Sequence, residues 1–158
     1  MSKTLYITDL DGTLLRPDQT VSSYTVEVIN RFIDRGGLFS IATARNLTGL
    51  RMLDFGGIRW NCPLVLGSGV MLYDLGRRRI IDCLNMPEDM VRHILHLCRD
   101  YGKTPMLFQT RGDQVLVTTE GASSPGEEAF IASRNARFPG CIRFVSAYAP
   151  EGGAFYFS

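Results

Sequence analysis

Two aspartates that close a short apolar run constrain this chain more than any other feature. Residues 5 to 8, Leu-Tyr-Ile-Thr, are too few for a helix and end at Asp9-Leu10-Asp11-Gly12-Thr13. A short apolar run bounded by a turn signal reads as a strand buried in a parallel sheet, its C-terminal end opening into a loop. Ser22 is an N-cap candidate for a helix over residues 23 to 35, with Val26, Ile29 and Ile33 at helical spacing and Gly36-Gly37 beyond it. Residues 38 to 42, Leu-Phe-Ser-Ile-Ala, make a second buried strand. Strand, helix and strand in immediate succession form a βαβ unit, which implies a right-handed crossover and a parallel sheet.

The same pattern continues for a short distance and then changes. Asn46 is placed to cap a short helix reaching Gly56-Gly57, and residues 63 to 66 give a third strand. Val70 to Asp74 and Arg79 to Cys83 read as a hairpin turning at Gly76-Arg77. After Asn85, Pro87 suits the first position of a helix that runs to Gly102, with Glu88 and Asp89 at its positive end. Met90, Val91, Ile94, Leu95, Leu97, Cys98 and Tyr101 give that helix a broad apolar face. Strands near 104 to 110 and 114 to 119 follow, joined through Arg111-Gly112-Asp113, where Gly-Asp is ordinary hairpin-turn chemistry. A helix over 126 to 136, an apolar stretch at 142 to 148 and a strand at 153 to 157 complete the chain. The boundary falls near residue 84, between an α/β part (1–84) and an α+β part (85–158).

Composition narrows the function classes. The chain has 158 residues, 45% hydrophobic and 21% charged, with a net charge of +1. That is an ordinary globular balance with no overall field directed at nucleic acid or an acidic membrane. No apolar run reaches the roughly 18 residues of a membrane helix. Met1 to Thr4 lead straight into the first strand without a signal-peptide layout, so the expected compartment is the cytoplasm. Cys62, Cys83, Cys98 and Cys141 form no CxxC pair and read as reduced, mostly buried thiols. His93 and His96 lie three apart on a helix without a third ligand, and read as surface residues. The run Arg77-Arg78-Arg79 reads as a solvated turn, with a phosphate-reading patch as the weaker alternative.

The chemistry concentrates at the first strand end. Asp9 and Asp11 are two apart, so along a strand they share a face with alpha carbons roughly 6.6 Å apart. Two carboxylates so placed can converge on one phosphoryl group or one hard cation. A carboxylate can attack phosphorus, and a second can protonate the leaving oxygen and later deprotonate a water. A magnesium ion would let an anionic nucleophile approach an anionic substrate. Gly12 allows the sharp turn that follows, and Thr13 adds a hydroxyl and an amide there.

Asp9-Leu10-Asp11-Gly12-Thr13-Leu14-Leu15 behind an N-terminal apolar strand resembles the nucleophile loop of the haloacid dehalogenase superfamily of phosphohydrolases. The resemblance implies a Rossmann-like parallel core over 1–84 and part of an inserted α+β cap over 85–158. It makes Asp9 the nucleophile and Asp11 the acid/base, with the backbone of Leu10, Gly12 and Thr13 helping to hold phosphate. Thr43 matches the family's phosphate-binding hydroxyl and Arg45 its arginine, expected to help bind substrate, while Ala44 stands where many relatives have glycine. Ser68, in Gly67-Ser68-Gly69, stands where asparagine is usual.

The implied cofactor is Mg2+, ligated by the Asp9 carboxylate and the Asp11 main-chain carbonyl. The implied substrate is a small phosphorylated metabolite, a sugar phosphate in the Cof-like branch whose cap this layout resembles. The family's lysine and acidic metal loop follow the cap. The chain is therefore expected to be the N-terminal part of a longer protein, or to borrow from another chain the strand that would otherwise leave residues 5 to 8 an unpaired apolar edge. A phosphate-binding module without turnover and a phosphomutase-type transferase are the alternatives.

Overall fold

The computed structural model describes residues 4–150 and 152–158; the start read as leader-free falls on Met1–Lys3, outside the described residues. The chain divides into two compact units, Met1–Asp82 and Cys83–Ser158.

In the first unit, β1 (Leu5–Thr8), α1 (Ser23–Asp34) and β2 (Leu38–Ile41) form the expected βαβ. The Ser22 hydroxyl caps α1 by accepting from the Thr25 amide, and Ile29 is the buried point of its apolar face. β1 and β2 are parallel, in register from Leu5↔Leu38 to Thr8↔Ile41. Past β2, Ala42 bridges Val65 in parallel, which brings β3 (Leu64–Leu66) to the other side of β2. β3 pairs antiparallel with β4 (Met71–Asp74), and β5 (Arg79–Cys83) is the next neighbour. Ile41, Leu64, Leu66, Met71 and Tyr73 are buried and make the centre of the unit. Parallel order places the ends of β1, β2 and β3 at one edge, where an open α/β sheet gathers its functional loops.

Two expectations for this unit fail. β1 is not buried: Leu5, Tyr6 and Ile7 are 45–55% exposed. Among the described residues β1 pairs only with β2, so it is the unpaired apolar edge expected where no further strand joins it, with Tyr6 standing edge-on to Phe32 at 5.3 Å. The helix capped by Asn46 is a single turn, α2 (Leu47–Leu50), and stops well short of Gly56. Its end has a local cause. The amides of Met52 and Leu53 bond three residues back, to Gly49 and Leu50, and Asp54 accepts from Gly56 in an Asx turn. Such tightening and side-chain competition end a helix.

The loop after β3 braces the loop after β2. Gly67, Ser68 and Gly69 all have left-handed φ, at 60°, 59° and 103°. Turned this way, the Gly67 amide donates to the Arg45 carbonyl at 2.9 Å and the Ser68 amide to the Thr43 carbonyl at 3.0 Å.

The second unit contains α3 (Glu88–Asp100), β6 (Leu107–Arg111), β7 (Gln114–Thr119), α4 (Pro125–Arg137), β8 (Arg143–Phe144) and β9 (Ala154–Phe157). Its sheet order is β8-β7-β6-β9. The β6–β7 register closes at Arg111↔Gln114, with Gly112 at φ 55°, so Arg-Gly-Asp is a hairpin turn. Val91, Leu107 and Ala154 form the core, with Met86, Leu95, Tyr148 and Phe157 packed on it. The buried Gln109 ties down the chain before β9 by donating to the Ala149 carbonyl at 2.9 Å.

α3 differs from its sequence reading in two ways. Pro87 has extended backbone (ψ 143°) and is the N-cap residue, one position before the helix. The apolar face is also narrower than expected. Val91, Ile94, Leu95 and Cys98 keep the i, i+3, i+4, i+7 stripe that faces a core, whereas Met90, Leu97 and Tyr101 are 49, 42 and 79% exposed. The four cysteines are free thiols, only partly buried, and His93 and His96 are exposed as expected. Among the described residues, no helix is long and apolar enough to cross a membrane.

Two outcomes follow from the first unit. Ser68→Val forces a β-branched residue into left-handed backbone and should cost about 1–2 kcal/mol, while Ser68→Gly should not destabilise; urea midpoints separate the two. Placing a charge on the exposed β1 edge through Ile7→Lys should reduce concentration-dependent light scattering, and equal scattering would show that this edge is not sticky.

Candidate active site

Asp9 and Thr43 leave the sheet on neighbouring loops. The Ala42 amide donates to the Thr8 carbonyl at 2.9 Å, one step past the β1–β2 register, and so fixes the two loops side by side. Asp9 is exposed, with extended backbone (φ −74°, ψ 164°). Leu10 next to it is fully buried, so its side chain anchors the loop and only its backbone is available to a ligand. The chain then makes one wide turn closed by the Leu15 amide on the Leu10 carbonyl at 2.9 Å. Gly12 holds φ 76° in that turn, and a Cβ there would meet nothing within 4 Å. Its glycine therefore answers to backbone angle rather than to space. Thr13 lies within the turn, exposed.

Thr43 is buried, 5% exposed, and held from three sides. Its amide donates to Val65 at 3.0 Å, its carbonyl accepts from Ser68, and its hydroxyl oxygen accepts the Arg45 amide at 3.1 Å. A hydroxyl has one proton to give and two lone pairs. With a lone pair occupied by Arg45, the proton is the group left to donate, which is the polarity an anionic ligand requires. Ala44 is exposed and has no left-handed φ, so the loop does without the glycine many relatives carry there.

Arg45 contacts Asp11 rather than lying free for a ligand. Its Nε donates to Asp11 Oδ2 at 2.8 Å and its Nη2 to Oδ1 at 2.6 Å, a two-pronged charge-assisted pair. The arginine side chain is 20% exposed and the aspartate 54%. The Arg45 hydrogen bonds hold the Asp11 carboxyl below the usual carboxylate range, against a smaller opposing effect of burial and with a further Coulombic pull from the same arginine. The folded value is depressed, so the associated stability is present above the ordinary carboxylate value and lost as pH falls through the folded one. Exposure of the carboxylate keeps that contribution small.

The structure thus brings together Asp9, Leu10, Asp11, Gly12 and Thr13 on one loop with Thr43, Ala44 and Arg45 on the next. The sequence reading did not find the Asp11–Arg45 pair or the brace from Gly67 and Ser68. One signal was available for the pair: opposite charges a few residues beyond the ends of two strands that a βαβ unit makes neighbours.

A magnesium site is only partly furnished. The ion takes six oxygens in near-octahedral geometry. Asp9 offers a carboxylate and Asp11 a main-chain carbonyl, but the Asp11 carboxylate is engaged by Arg45. Among the described residues there is no group of three His, Cys, Asp or Glu side chains that could hold a metal. These donors do not by themselves make the site.

Comparison with known proteins agrees with the family resemblance. The sequence profile of haloacid dehalogenase-like hydrolases matches residues 6–138. A Buchnera aphidicola (subsp. Baizongia pistaciae) relative is 33% identical over 92 residues, covering 57% of this chain and 33% of its own. The HMP-PP phosphatase of Yersinia enterocolitica is 27% identical over 127 residues, covering 73% of this chain and 44% of its own. A solved Bacteroides thetaiotaomicron protein, studied among phosphatases of the haloalkanoate superfamily, superposes with a TM-score of 0.66 at 20% identity, over 91% of this chain and 50% of that one. That likeness shows a shared fold. The chain spans less than half the length of these two curated relatives. With its profile match running from β1 through α4, the chain belongs to the haloacid dehalogenase-like hydrolases.

Proposed function

We propose that this chain carries the nucleophile-bearing part of a phosphatase acting on a small phosphorylated metabolite, a sugar phosphate foremost, in the cytoplasm. The observation that supports the reading is the joining of two loops by the Ala42–Thr8 backbone bond: one carries the exposed Asp9 at the end of β1, the other carries Thr43, whose hydroxyl oxygen accepts from the Arg45 amide and so leaves its proton to donate. The name of the Yersinia relative supports a small phosphorylated substrate. Residues 1–84 are the catalytic core and residues 85–158 part of a cap.

In the proposed reaction, an Asp9 carboxylate oxygen attacks phosphorus and forms an aspartyl phosphate as the bond to the leaving oxygen breaks. For Asp11 to give that oxygen a proton and release an alcohol, its carboxyl has first to leave Arg45 and take up a proton from solvent. Water then attacks the same phosphorus, Asp11 takes the water proton, and inorganic phosphate leaves with Asp9 restored. The backbone of Leu10, Gly12 and Thr13, with the Thr43 hydroxyl, binds phosphoryl oxygens, and Ala44 and Arg45 on the same loop as Thr43 help to bind substrate. The Asp9 carboxylate and the Asp11 main-chain carbonyl would be this chain's ligands to a magnesium ion, which would supply positive charge to offset the anionic substrate.

A panel of phosphomonoesters with magnesium tests the reading. Asp9→Asn should lower kcat by at least roughly a thousandfold while the circular dichroism spectrum stays unchanged. Unchanged turnover in that variant would refute the assignment. Phosphate binding without hydrolysis by the unaltered protein would favour a binding module.

A further inference from the structure

Gly67, Ser68 and Gly69 are three left-handed residues in a row, and only two of them are glycines. Both glycines answer to the backbone. Gly69 stands at φ 103°, outside the narrow left-handed region open to other residues, and a Cβ on Gly67 would meet Val70 Cγ2 at 2.9 Å. Ser68, at φ 59° and ψ 30°, stands where a glycine is at ease and a serine is strained. The amide that Ser68 gives to the Thr43 carbonyl belongs to the backbone, so a glycine would make that bond equally well.

The side chain does not offset the strain from within the protein. A short polar residue in this conformation is usually compensated by a local hydrogen bond. Among the described residues the Ser68 hydroxyl makes none, and the residue is exposed. Sheet order sets what lies within its reach. β2 stands between β1 and β3, so the loops follow one another as Asp9, Thr43, Ser68. A phosphoryl group held between Asp9 and Thr43 occupies the first two loops. The third lies two strand spacings from the first, roughly 9–10 Å, on the scale of the group esterified to the phosphorus rather than of the phosphoryl group itself. A hydroxyl has one proton to give, two lone pairs and no charge, which suits a neutral hydroxyl better than a second anion.

We infer that Ser68 is a specificity residue whose hydroxyl hydrogen-bonds a hydroxyl on the leaving-group side of the phosphorylated metabolite. This rests on the phosphatase reading above and adds which part of the substrate the third loop recognises.

Ser68→Gly removes the side chain and keeps both the left-handed backbone and its amide. The substrates to compare are phosphate esters with a hydroxyl beyond the ester (glucose, ribose and glycerol phosphates) and p-nitrophenyl phosphate, which has none. Ser68→Gly should lower the ratio of kcat/KM on the best hydroxyl-bearing ester to kcat/KM on p-nitrophenyl phosphate by about five- to tenfold, the loss of one neutral hydrogen bond. Ser68→Ala keeps the strained backbone without the hydroxyl and should lower the ratio equally. An unmoved ratio overturns the inference, whether both kinds of substrate lose activity together or neither does. A fall in one variant alone is a backbone effect and overturns it too. A second readout needs no turnover. In an Asp9→Asn background, Ser68→Gly should raise the calorimetric Kd of the same esters by a similar factor and leave that of inorganic phosphate in place. Equal changes in both, or no binding of any ester, overturn the inference. The turnover of Asp9→Asn decides the phosphatase reading separately, so the two can fail independently.

Discussion

The single contact on which the rest depends is the hydrogen bond from the Ala42 amide to the Thr8 carbonyl. It extends the parallel β1–β2 register by one step past Ile41, at the point where both strands give way to loops. The proposed anion site needs a nucleophile and donors within a few ångströms of each other. In sequence Asp9 and Thr43 are separated by the whole of α1. The right-handed crossover brings the strands together, and the last ladder bond removes the freedom of the loops to drift apart. Burial of Leu10 below the first loop and of Thr43 in the second then leaves polar groups to be aimed rather than found.

The βαβ unit was legible because its signals are local. A capping serine, a helical apolar spacing and a glycine pair each act within a turn or two of chain. The β6–β7 hairpin was legible for the same reason, since Gly112 in a two-residue turn needs no tertiary context. What failed depended on distant neighbours. Whether Leu5, Tyr6 and Ile7 are buried is decided by what lies beyond β1; the four residues alone read as buried, and only the family resemblance pointed to an unpaired edge. The width of the α3 face failed likewise. Met90, Leu97 and Tyr101 are as apolar as Val91 and Leu95, and only the position of the sheet separates the buried stripe from the exposed one.

At the site, residue types were legible and partnerships were not. Asp9, Asp11 and Thr43 could be picked out because few residues can do their chemistry, and a turn glycine follows the carboxylates. Arg45 could be read as a cation near a phosphate site, but an arginine offers several donor edges and a long stem. Which anion it clasps is settled in three dimensions, and the nearer anion is Asp11 at 2.6 and 2.8 Å. Ser68 was harder still. Its contribution is the direction of a backbone amide, which side-chain identity does not reveal unless the left-handed φ is known.

These contacts form a chain with a direction. Ser68 and Gly67 grip the carbonyls of Thr43 and Arg45, and Arg45 grips the Asp11 carboxylate. Each loop is thus oriented by the one that follows it in sequence, and Asp9 alone is set by the strand end that carries it. A nucleophile needs rigid placement, and a strand end supplies that directly. A group that must both give and receive a proton needs an orientation that survives each change of charge. A guanidinium that only donates holds the ionised carboxyl more firmly than the protonated one, so the Asp11–Arg45 contact belongs to the charged state of Asp11. The strand end thus places Asp9, and the second loop orients the ionised Asp11 carboxylate through Arg45.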